Sequence, residues 1–110
     1  MPDQSLTDAR SALAECVAVV ERLHKMCCDP DRSPRMRAIE ESLLAIRPDL
    51  ASGDSQSLGQ ALNRLETVGA ELGSLQVRCC ASVRMPLYAE ALASLNTVQL
   101  GIATELGLAH

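Results

Sequence analysis

The chain predicts an all-α fold: an up-down four-helix bundle forming one domain over residues 1–110, with a shorter second helix. Three observations predict it. Apolar residues step by 3 and 4 along most of the chain, the heptad signature of helices packed side by side. The apolar set is almost entirely Leu, Ala, Val and Ile, with Tyr88 the one aromatic residue, so the core must come from long helical seams rather than large rings. Hydrophobic content of 47% supports a packed interior over a disordered chain. A domain this small buries only part of its apolar surface, which makes self-association an expectation from size alone.

The first helix is the clearest. Leu6, Ala9, Leu13, Cys16, Val20, Leu23 and Cys27 form one seam. Ser5 or Thr7 can cap its start, Asp8 suits the positive end of its dipole, and Pro30 ends it, because the residue before a proline disfavours the helical region. The second helix opens on Ser33 as cap and Pro34 as first helical residue. Met36, Ile39, Leu43 and Ile46 are its seam. Pro48 is expected to stop it, leaving 49–57 as a loop built on Ser52, Gly53 and Asp54, with Leu50 tucked beneath.

The third helix repeats the pattern of the first through Leu58, Ala61, Leu65, Val68, Leu72, Leu75 and Cys79. Ser57 and Gln60 fit a capping box at its start. Gly59, Gly69 and Gly73 each weaken it by about 1 kcal/mol relative to Ala, so they read as marks of close helix contact. The fourth helix begins at Pro86 and carries Leu92, Leu95, Val98, Ile102 and Leu106. Residues 81–86 contain no Gly, Asn or Asp, so the junction before it has two readings. One is a tight reversal. The other joins helices 3 and 4 into a single long helix with a Pro86 kink. Seams of matched length, about 32 Å each at 1.5 Å per residue, favour the reversal.

In an up-down bundle the first and third helices end at one pole. That pole receives both vicinal thiol pairs, Cys27 with Cys28 and Cys79 with Cys80, together with His24, Met26, Met36 and Met85. Thiolates and thioethers are soft donors that suit Zn or Cu(I). The packing reading stands beside this one: Cys16, Cys27 and Cys79 continue heptads as small hydrophobes, and Met fills bundle ends. Adjacent helical residues point about 100° apart, so a vicinal pair does not chelate as C-x-x-C does. Glu21 and His24 form one E-x-x-H, a unit that di-iron bundles use twice; here both flank the seam and are expected to face solvent. Arg32, Arg35, Arg37 and Arg84 gather near the starts of the second and fourth helices. With Ser33 and the free N–H groups there, they make a candidate site for an anion or an acidic partner.

The net charge of −4 argues against a nucleic-acid partner. No apolar run reaches the ~18 residues of a membrane span, and the start of the chain lacks the basic character of a signal peptide. The expected setting is the cytoplasm, with the five cysteines reduced. No phosphate loop, nucleophile elbow or C-x-x-C is present, no cofactor is implied, and no motif ties the chain to a known family. The expected function is a non-enzymatic helical interaction or adaptor module that binds a partner protein, or a second copy as a homodimer, through apolar helix faces. Val17, Val19, Leu44, Leu62 and Leu100 lie beside the seams and appear surplus to one bundle. The alternative is a cytoplasmic thiol-based metal-binding or redox-sensing protein using Cys27, Cys28, Cys79 and Cys80.

Overall fold

A computed structural model describes residues 2–26, 33–78 and 85–107, with side chains for 6–25, 34–75 and 85–107. Four helices follow one another: α1 (Pro2–Met26), α2 (Ser33–Ser52), α3 (Ser55–Arg78) and α4 (Met85–Glu105). They pack in the cyclic order α1, α2, α3, α4, each neighbouring pair in contact and the diagonals barely touching. The body is elongated, 43 × 21 × 18 Å, as expected for helices of 20 to 25 residues lying alongside one another.

Cross-helix contacts give the direction of every element. Arg10 near the start of α1 donates to the Leu50 carbonyl near the end of α2 at 2.8 Å. His24 at the end of α1 meets Glu40 near the start of α2 at 3.1 Å. Arg35 at the start of α2 donates to Glu71 near the end of α3 at 2.8 Å. Gly69 of α3 lies against Leu95 of α4, and Cys16 of α1 against Ala91 of α4. The α1–α2 and α2–α3 pairs are therefore antiparallel. Helices α3 and α4 pack side by side and are joined by only residues 79–84, too few to return along a helix, so α4 runs antiparallel to α3 and to α1 as well. The contact between α3 and α4 decides between the two readings of Pro86. The two helices lie side by side, so Pro86 does not kink one long helix. It occupies the first turn of α4, where its missing N–H would have no partner in any case.

The heptad positions form the core. Leu13, Val20 and Leu23 of α1, Ile39 and Leu43 of α2, Leu65, Val68, Leu72 and Leu75 of α3, and Leu95, Val98 and Ile102 of α4 are all buried. Tyr88 and Met36 join them.

The structure departs from the sequence reading at the α2–α3 corner. Pro48 does not stop α2, which continues through it to Ser52. The expected loop over 49–57 contracts to Gly53 and Asp54. The proline removes a hydrogen bond to the carbonyl four residues earlier, on a side of the helix where both Leu44 and Pro48 are exposed. The last turn gains more than that loss. It buries Leu50 completely, and Arg10 caps the Leu50 carbonyl. Gly53, at φ 72°, turns the chain and donates to the Asp49 carbonyl at 3.1 Å, a left-handed C-terminal cap. Asp54 then caps α3. Its carboxylate accepts from the Ser57 N–H at 2.7 Å, and also from the Ser52 and Ser57 hydroxyls. Asp54 thus fills the capping role expected of Ser57 with Gln60, because it stands immediately before the first helical residue.

Candidate functional site

A square bundle has four outer faces, one over each pair of neighbouring helices, and here they differ in charge. Asp8 and Glu15 of α1 and Glu90 of α4 line an acidic groove over the α1–α4 seam. Arg10 and Arg47 flank Leu13 and Leu50 in a basic groove over α1–α2. Arg35 and Glu71 close an ion pair across the α2–α3 groove, above Ile39 and Val68. The fourth face, over α3 and α4, carries almost no charge.

That last property follows from α4. Residues 91–104 contain no Asp, Glu, Lys or Arg. The flanking Glu90 and Glu105 both fall toward α1: Glu90 lines the acidic groove, and Glu105 stands eleven residues after Ser94, which lines the same groove. The outward side of α4, leaning toward α3, carries Met85, Ala89, Leu92, Asn96, Leu100 and Ala103, with Gln99 half-buried at its edge next to α3. Leu100 is 54% exposed and Met85 38%, two of the three large apolar side chains left open among the described residues. Helix α4 packs on α1 and α3 and leaves Leu100 open on its outer side.

The facing flank of α3 matches it. Glu66 is its one charge, and Leu62 is partly buried against the core. Gly69 is occupied from within, since a Cβ there would stand 3.2 Å from Leu95 Cδ2. Gly59 and Gly73 are different: a Cβ at either would meet nothing within 4 Å. Nothing in the described chain requires glycine at those two positions.

The sequence-derived candidates are distributed as follows. Cys27, Cys28, Cys79, Cys80, Arg32 and Arg84 lie outside the described residues, as do the side chains of Met26 and Ser33. His24 is half-buried and engaged with Glu40 across the α1–α2 interface, rather than facing solvent beside the exposed Glu21. The expectation of a solvated His24 fails because position 24 lies on the flank of the seam turned toward α2. Met36 is a core residue at the start of α2, and Met85 is exposed at the start of α4. Arg35 is paired with Glu71, while Arg37 is exposed on α2. Among the described residues no group of three or more His, Cys, Asp or Glu side chains is placed to hold a metal ion, and no helix is long and apolar enough to cross a membrane.

Cys16, the one described thiol, is fully buried and donates weakly to the Ala91 carbonyl at 3.6 Å. Burial, and secondarily the charge of Glu15, push its pKa up to about 11. A protonated, enclosed thiol is a packing group rather than a nucleophile.

Two of the surplus apolar positions are also core. Val17 and Val19 are buried, because α1 packs closely on both neighbours and so needs a wider apolar face than its seam alone. Leu44 and Leu100 remain exposed. The residue that sequence reasoning missed is Asn96, a polar residue midway along the uncharged flank of α4. Its signal, symmetry of the flanking residues, becomes visible only once the direction of α1 is known. No family model matches the chain, and neither a curated protein nor a solved structure matches it.

Proposed function

We propose that the chain is a non-enzymatic helical interaction module that works through the uncharged outer surface of α4. One observation carries this reading: residues 91–104 hold no charge, yet Leu100 in their midst is 54% exposed. Exposed apolar surface of this kind, rimmed by charged faces on its neighbours, is characteristic of protein docking sites. The burial of Cys16 and the engagement of His24 by Glu40 agree with a role other than catalysis. A cytoplasmic setting fits the free, buried thiol of Cys16.

Site-specific photocrosslinking in cells tests it. A benzophenone side chain at residue 100 should give a discrete adduct that the same group at exposed residue 41, on α2, does not. Identical diffuse labelling from both positions would overturn the reading.

The thiol alternative keeps one structural support. α1 and α3 end at the same pole, at Met26 and Arg78, immediately before the two cysteine pairs. Those helices are diagonal in the bundle, which lengthens the reach that a shared metal at ~2.3 Å from each sulfur would require. Titrating reduced protein with Zn or Cu(I) decides it: saturation at a fixed ratio, abolished when Cys79 and Cys80 become Ser, supports a shared site. Its survival in that variant refutes one.

A further inference from the structure

We infer that the occupant of the α4 surface is a second copy of this chain, docked antiparallel on a twofold axis that passes through Asn96. The inference rests on the interaction-module reading and names its partner. The observation that carries it is a symmetry along the outer flank, where Ala89, Asn96 and Leu100 are exposed and Leu92 and Ala103 half-buried. Counting outward from Asn96, Leu92 and Leu100 stand four residues away on either side, and Ala89 and Ala103 seven. All five lie on the flank of α4 that leans toward α3, by the same register that sends Glu90 and Glu105 toward α1. In a closed twofold interface, residue i meets j and j meets i. Two α4 helices laid antiparallel about Asn96 therefore set Leu92 against Leu100 of the other copy, twice, and Ala89 against Ala103, twice. Large meets large and small meets small at these four contacts, while Met85 lies beyond them toward Gly107 of the other copy. Asn96 meets itself at the axis, where one side-chain amide can donate and the other accept. A single polar residue of this kind holds register at some cost in affinity, because any slip leaves it unpaired among leucines.

Charge and space point the same way. A partner of different composition is selected by complementary charges, and among the described residues this face offers only Glu66. A twofold axis that sets α4 antiparallel to its copy keeps both α3 helices on the same side of the seam, so the interface is two helices wide and includes Glu66 of both copies. Gly59 and Gly73 lower the α3 flank beside α4, at positions where the chain itself leaves open space. Each weakens its helix relative to Ala, a loss that the close approach of a second copy would explain. The area suffices for a modest dimer. A face about 31 Å long and two helices wide is on the order of 600 Å² per copy, the lower end of specific interfaces. Dissociation in the micromolar range is the corresponding expectation.

Sedimentation equilibrium of the reduced full chain from about 1 µM to 1 mM reads the result. The inference expects a mass rising from 11.7 kDa to twice that value. Leu100→Asp and Asn96→Asp, both at exposed positions, should keep their helical circular dichroism and weaken the dimer at least tenfold. The register has its own test. Ala89→Lys and Ala103→Glu stand seven residues either side of the axis, too far apart on one helix to meet. Together they should restore association that Ala89→Lys alone weakens, because each lysine then faces a glutamate of the other copy. A single species of 11.7 kDa at all concentrations overturns the inference. So does a dimer that Leu100→Asp leaves intact, or a double variant no better than the single. If the chain stays monomeric while residue 100 still gives a discrete adduct with another protein, the dimer falls and the interaction-module reading stands.

Discussion

The α1–α4 seam and the α2–α3 seam use the same heptad stepping and pack in different ways. The α1–α4 seam is lined with small buried residues, Ala9, Ala12 and Cys16 on α1 and Ala91 and Ser94 on α4, with Cys16 against Ala91, and this pair makes the most extensive contact in the bundle. Small side chains let the two backbones approach. The buried residues of α2 and α3 are larger: Met36, Ile39, Leu43 and Ile46 on one, Leu65, Val68, Leu72 and Leu75 on the other. These larger side chains fill the space between helix axes themselves, and the surface above them is bridged by Arg35 and Glu71. The stepping says which face is inward; side-chain volume says how close the neighbour comes. The half that packs tightly tolerates no added atoms, and the half that packs through bulk tolerates no lost ones.

The largest effect should come from the bulky half. Leu72→Ala removes a fully buried side chain and should cost roughly 2–5 kcal/mol through lost transfer energy and the cavity left behind. Denaturant unfolding measures it; an unchanged midpoint would break the core assignment. The tight half should fail in the opposite direction. Ala91→Leu forces new volume between α1 and α4, against Cys16, and should cost about 1–3 kcal/mol. Ser42→Leu, a similar enlargement in the open α2–α3 groove, should be nearly neutral. Equal costs at the two positions would erase the distinction between the halves.

The two halves should also respond to opposite extremes of pH. Cys16 sits in the tight seam with its pKa raised from 9.0 to about 11. A raised value favours the neutral thiol in the fold. Its contribution is complete below pH 9 and is lost as pH rises through 11, where the thiolate must form in the seam. Alkylation follows the same logic: in folded protein at pH 8, mass mapping after iodoacetamide should find Cys16 unmodified, and in denaturant modified. The smallest effect belongs to the α2–α3 corner. Hydrogen bonds from the Ser57 N–H, then the Ser52 and Ser57 hydroxyls, hold Asp54 below the ordinary carboxylate value of 3.8. A lowered value stabilises the fold above that pH and the benefit fades as pH falls below it. Asp54→Ala should therefore lower the melting temperature at pH 7 and make no difference at pH 2, as thermal scans at the two pH values would show.

Much of this architecture was legible because the seams of α1 and α3 step by 3 and 4 without a break, so that Leu13, Leu65 or Leu72 could be placed in the core from spacing alone. The passage of α2 through Pro48 was not. Local chemistry forbids it weakly, whereas the burial of Leu50 and the cap from Arg10 reward it, and both of those come from another helix. His24 with Glu40 is hidden for the same reason: the two residues belong to different helices and nothing local joins them. The width of α1's apolar face misleads in the other direction. Val17 and Val19 look surplus until the closeness of α4 and α2 is known. The α4 surface lies between these cases. Its lack of charge is plain in the sequence, but the symmetry about Asn96 emerges only once Glu90 and Glu105 are assigned to the α1 side.

The two-residue corner at Gly53 and Asp54 also sets an order of events. It joins α2 and α3 almost without a loop, so their pairing confines little chain. Cys16 and Ala91, by contrast, stand 75 residues apart, and closing that span costs far more entropy before any contact repays it. The hairpin of α2 and α3 should therefore form in the folding transition state, with the chain ends zipping together afterward. Rate measurements on conservative variants would show it as high φ-values at Leu43 and Leu65 and low ones at Ala9 and Ala91. The tightest seam of the native molecule would then be the last to form and the first to part.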